Sequence, residues 1–213
     1  MEVAKTRDQS DYENAKIECE EAYKDWEEAK ILAERILARG ESAYIEALEE
    51  TNPFSDISAL GSSLSFTAHD QVTIEVTLHV NDEGAVPSEV KSLLQSGKLS
   101  VKKMPKGAFF ELYQDYICSC TIRIAREIYA LLPVHMVVIQ AMGDILNSKT
   151  GHMDEQTILS VAIPRGTLER MNLETIDPSD SMRNFVHNME FKRNTGFRAT
   201  KPIDISSLQQ TGA

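Results

Sequence analysis

Between Tyr12 and Ala47, small or apolar residues return every three or four positions: Tyr12, Ala15, Cys19, Ala22, Trp26, Ala29, Ala33, Ile36, Gly40, Ala43 and Ala47. That spacing is a heptad repeat held for about five heptads, with Glu, Lys, Asp and Arg between the stripe positions. It predicts one long helix of about 40 residues, which at 1.5 Å per residue spans about 60 Å. A domain of this size is narrower than that, so part of the helix projects. Gly40 is its weak point, because Arg39-Gly40-Glu41-Ser42 can open into a turn and leave a hairpin of two shorter helices. A second apolar set, Tyr23, Ile31, Leu37, Tyr44 and Leu48, lies off the stripe and predicts packing of the C-terminal end on the rest of the chain. Thr51-Asn52-Pro53 closes the helix, since proline neither continues a helix nor favours helical geometry before it.

Beyond Pro53 the period changes to two. Leu64, Phe66 and Ala68, then Val72, Ile74, Val76, Leu78 and Val80, alternate with polar residues, which predicts two antiparallel strands joined at His69-Asp70. Asn81-Asp82-Glu83-Gly84 reads as a loop, Pro87 to Leu94 as a short helix, and Leu99 to Met104 as a short strand. Phe109 to Leu132 is apolar on most sides and predicts a central helix, with a polar stripe at Glu111, Asp115, Ser119, Arg123 and Arg126. Val137–Ile145 and Thr157–Ile163 predict two further strands, linked by the turn formers Asn147 to His152. Asp177-Pro178-Ser179-Asp180 predicts a capped helix running to about His187. The order predicts an α+β chain in three parts: an acidic, Ala-rich, coiled-coil-like helix over 1–51, an antiparallel or mixed sheet packed on a central helix over 52–205, and a loose tail over 206–213.

Charge sharpens this picture. The 213 residues carry a net charge of −11, and residues 1–50 hold fifteen acidic and seven basic side chains, net −8. An acidic helix repels a phosphate backbone, so charge gives nucleic-acid binding no support. No apolar run approaches the about 18 residues of a membrane span, and Met1–Ser10 has no signal-like apolar stretch, which predicts a cytoplasmic protein. The three cysteines, Cys19, Cys118 and Cys120, are an odd set, two of them in an apolar run, and no disulfide framework is expected. A stripe of alanines with one large ring, Trp26, lets two helices approach closely. It predicts association through Tyr12, Ala15, Ala22, Trp26, Ala29, Ala33 and Ile36, with a second copy of the chain or another helical protein as partner, ahead of the alternative that the helix packs along its own domain.

Chemistry is thinner. No phosphate loop, dinucleotide fingerprint, HExxH, paired CxxC or nucleophile elbow is present, and no cofactor or metal is expected. Cys118 and Cys120 lie two apart within a helix and point to different sides. The one catalytic pattern is Asp70 followed by Glu89-Val90-Lys91, which resembles the restriction-endonuclease-like nucleases. The resemblance implies a divalent metal held by Asp70 and Glu89, with Lys91 beside the developing charge. The expected helix start at Pro87-Ser88 argues against it by aiming Glu89 and Lys91 apart. The segments Ala130-Leu131-Leu132-Pro133, Thr150-Gly151-His152 and Ile176-Asp177-Pro178-Ser179-Asp180 resemble the C-terminal domain of bacterial proteins that join such a domain to a charged helical stretch. That resemblance spans about residues 53 to 200 and implies a bacterial or phage source without implying an activity. A non-enzymatic interaction or assembly module is the leading expectation, and a metal-dependent nuclease the alternative.

Overall fold

A computed structural model describes residues 2–81, 85–146 and 150–209. The long helix is split: α1 runs Glu2–Leu37 and α2 runs Glu41–Thr51. The break is a helix-ending loop in which Arg39 N–H donates to Ile36 O at 2.9 Å and Gly40 N–H to Arg35 O at 3.1 Å. Arg39 takes the left-handed conformation (φ 60°) that such an ending requires, a place where glycine is the usual occupant. Gly40 comes next in extended geometry, so close to Arg35 that a Cβ there would lie 3.2 Å from its carbonyl oxygen. Arg35 and Glu46 then meet at 2.7 Å, although eleven residues of straight helix would separate them by about 16 Å. The turn anticipated at Gly40 therefore forms, and the single 40-residue helix does not.

Six strands form a mixed sheet in the order β1-β2-β5-β6-β7-β8, made of β1 (Ser63–Ala68), β2 (Thr73–His79), β5 (Met136–Leu146), β6 (Met153–Pro164), β7 (Val186–Lys192) and β8 (Gly196–Arg198). Only the β2–β5 pairing is parallel. Register places whole rows on one face: Phe66, Val76, Ile139 and Val161 lie side by side, as do Ala68, Ile74, Val137 and Ile163. With a period of two, this alignment is the one that turns all of them to the core. After the short helix α3 (Ser55–Ala59), helix α4 (Lys106–Leu131) packs on that face and buries Ile117, Ile124 and Ile128 completely. Burial of each such side chain stabilises by about 1.5–3 kcal/mol. Arg165, the first residue of the one-turn helix α5 (Arg165–Leu168), clamps the end of α4: its guanidinium donates to the carbonyls of Tyr129, Leu132 and Val134 and lies over the Tyr129 ring. On the opposite face the C-terminal segment is held by Thr200 N–H to Thr157 O and Ile203 N–H to the Ser160 hydroxyl.

Several expectations need correction. Residues 87–94 form no helix; Glu89–Leu93 is strand β3, paired with β4 (Leu99–Lys103) in a separate two-stranded sheet. Pairing across the Gly97 turn outweighs the local preference of Pro87-Ser88. Asp177 does cap a helix, its Oδ1 accepting from Asp180 N–H, but α6 (Pro178–Ser181) lasts one turn and a 3₁₀ turn ends it at Asn184. The chain then enters β7 instead of continuing as helix, and β8 follows it. The tail expected over 206–213 begins inside helix α7 (Ile205–Gln209), and residues 210–213 lie outside the described residues. The loops expected at 81–84 and 147–152 fall partly outside them too. Among the off-stripe residues Tyr44 and Leu48 are buried, whereas Tyr23, Ile31 and Leu37 are exposed. The core thus extends upstream of residue 52 into α2.

Candidate functional site

Residues 7–31 of α1 are exposed without exception. Four basic-to-acidic pairs four residues apart run along this stretch and just past it, Arg7–Asp11, Lys16–Glu20, Lys24–Glu28 and Lys30–Glu34, at 3.7–4.0 Å. Exposed pairs of this kind contribute about 0.2–0.5 kcal/mol each, and less in this order than with the acid first. They do not account for the large apolar side chains among them: Tyr12, Ile17, Tyr23, Trp26 and Ile31 are each at least half exposed. Tyr23 and Trp26 lie ring to ring at 5.7 Å, and Lys30 sits 5.4 Å above the indole, giving an aromatic platform with one cation.

The predicted interaction residues divide at this platform. Tyr12, Ala15, Ala22 and Trp26 lie outside the groove beside α2, while Ala29, itself still exposed, lines it with Ala33, Ile36 and Ala47, an open space of about 580 Å³. The groove has an apolar floor and an acidic rim, Asp25, Glu28, Glu46 and Glu50, with Arg35 held by Glu46. The sequence marks a turn at Gly40 but not how the two helices pack across it, so this groove was not anticipated.

The nuclease-like residues lie in two places. Asp70 sits in the β1–β2 turn, where its carboxylate accepts from Val72 N–H at 2.8 Å and the Thr73 hydroxyl at 3.3 Å. Glu89 and Lys91 share one face of β3, as residues two apart on a strand must, which removes the objection that they point apart. β3 pairs with β4 and not with β2, however, so the acid and the Glu-x-Lys are not on neighbouring strands. Among the described residues no group of three or more His, Cys, Asp or Glu is placed to hold a metal ion.

No family model, curated protein or solved structure matches the chain. Its function therefore rests on its own surfaces and interior. The interior offers no activated nucleophile in α4: burial pushes the Cys118 thiol up to about 12, and burial likewise raises Cys120 and Tyr129. A raised thiol is a weak nucleophile and a poor metal ligand at neutral pH. A second cavity, about 340 Å³, opens between the start of α4 and the sheet, walled by Phe109, Phe110, Tyr113 and Phe197. Between the lining residues Thr195 and Phe197, Gly196 (φ 75°) is required, since a Cβ there would stand 2.8 Å from the Phe110 ring. No described helix is long and apolar enough to cross a membrane.

Proposed function

We propose that this chain is a non-enzymatic interaction or assembly module that associates with a second copy of itself through α1. The observation that carries the reading is the unbroken exposure of residues 7–31, bearing Tyr12, Trp26 and three further large apolar side chains. Large apolar side chains left open to water along one helix, two of them ring to ring, favour an interaction site, and a solitary helix gains little from its own surface ion pairs. The reading includes a reducing, cytoplasmic setting, which suits the three free thiols.

The alternative, a metal-dependent nuclease of the restriction-endonuclease-like kind, has one point in its favour: Glu89 and Lys91 share a strand face. It lacks a neighbouring acid on the adjoining strand, so it ranks second. Light scattering on the full chain and on Trp26→Glu tests the first reading: the native chain has the mass of a dimer or larger and the variant that of a monomer. A native monomer overturns it. DNA cleavage with Mg²⁺ or Mn²⁺ that disappears in Glu89→Ala would put the nuclease in its place.

A further inference from the structure

The β3–β4 hairpin stands out from the fold in three ways. Both its faces are exposed: every residue from 87 to 99 is open to solvent. A lone two-stranded hairpin is marginal in water, and this one covers neither side with its own chain. Its cross-strand register then gathers apolar residues on one face, Leu93 opposite Leu99 with Val101 beside them, 77%, 61% and 48% exposed. Around that patch stand Lys91, Lys98 and Lys103. Residues 88–106 hold one acid and five lysines, net +4, in a chain whose total is −11.

The chain carries a surface of the opposite kind. Residues 7–31 hold nine acids and four bases, net −5, and the groove below them has an apolar floor and an acidic rim. Pairing α1 with another α1 would set two such −5 stretches side by side, a like-charge arrangement that costs affinity. The hairpin offers the complement: aliphatic side chains for the floor and lysines for the rim.

We propose that the β3–β4 hairpin of one copy docks in the α1–α2 groove of a second copy, with Leu93 and Leu99 on the floor by Ala33 and Lys91, Lys98 and Lys103 facing Asp25, Glu28, Glu46 and Glu50. This rests on self-association through α1 and names the surface that α1 meets. Each copy carries one hairpin and one groove, so two contacts related by a two-fold axis close a dimer, and a non-closing arrangement extends into a chain. The occupant is protein rather than nucleic acid because residues 88–106 contain no aromatic ring or arginine on which bases could stack, and the acidic remainder repels phosphate.

The test uses the full chain, a hairpin variant (Leu93→Glu with Leu99→Glu) and a groove variant (Ala33→Arg). Mass is measured by light scattering at low and high salt, after thermal melting has shown that each variant keeps the native transition. The native chain associates and loses mass as salt rises, each variant alone is monomeric, and mixing the two restores a dimer through the one intact contact. If the native chain associates while the hairpin variant keeps the native mass, the hairpin is not the partner surface, and association through α1 still stands. A monomeric native chain removes both. A hairpin variant that keeps its mass but loses binding to a short duplex DNA would assign the lysines to phosphate and overturn the proposal.

Discussion

Removing α1 and removing α1 with α2 are expected to have very different consequences. Helix α2 buries Ala43, Tyr44, Ala47 and Leu48 to between 0% and 3% exposure, and the Tyr44 hydroxyl donates to the Gln71 carbonyl at 3.1 Å across the start of β2. Burial of a side chain as large as Tyr or Leu stabilises by about 1.5–3 kcal/mol, so Tyr44 and Leu48 together supply about 3–6 kcal/mol before the cavity left behind is counted. That is a large part of the about 5–15 kcal/mol that holds a whole domain together. A chain covering 39–213 should therefore melt cooperatively near the temperature of the full protein, whereas one covering 53–213 should lack a cooperative transition and give collapsed amide NMR dispersion. Within 39–213, Leu48→Ala is expected to lower the melting temperature by about 10 °C. Native-like melting of 53–213 would show that α2 is an appendage and refute the reasoning.

Ile124→Asp, which places an unpaired charge at a fully buried site on α4, should cost several kcal/mol in urea denaturation, while Arg126→Asp on the exposed side of the same helix should cost little. Arg39→Gly relieves a left-handed non-glycine residue and is expected to stabilise the chain by about 1 kcal/mol, read as a higher melting temperature. Burial raises Cys118, Cys120, Tyr129 and Tyr44, and groups whose folded values are raised stabilise the fold below their unfolded values. That stability is lost as pH climbs, so melting temperature should fall steadily above the ordinary thiol range. A thiol reagent at mildly alkaline pH should titrate Cys19 rapidly and the other two only on unfolding.

The elements that a short-range pattern governs were legible in the sequence. The alternation through Ile74, Val76 and Leu78 and the all-round apolar character of α4 each specify their own burial, and the sheet and helix stand where those patterns put them. The misreadings came where a partner decides. Glu89–Leu93 becomes a strand only because β4 pairs with it, and Val186–Lys192 because β6 and β8 flank it; their mixed polar sequences carry no period of their own. Residue identity at the helix break misled by one position, since Gly40 marked the turn while Arg39 took the left-handed geometry. The groove was invisible in the sequence because it forms only when Ala33 and Ala47, fourteen residues apart on what looked like one helix, come to line the same space.

The central claim, that α1 is covered by a second copy of the chain, is met most directly by the emission of Trp26, the single tryptophan, followed as the protein is diluted. Within one chain the indole is 55% exposed, so a monomer must give the spectrum of an indole largely in water. Association predicts a blue-shifted maximum at high concentration that moves to the red on dilution, in step with the loss of mass seen by sedimentation. A water-like spectrum that does not change with concentration, from a chain that sediments as a monomer throughout, would contradict the account.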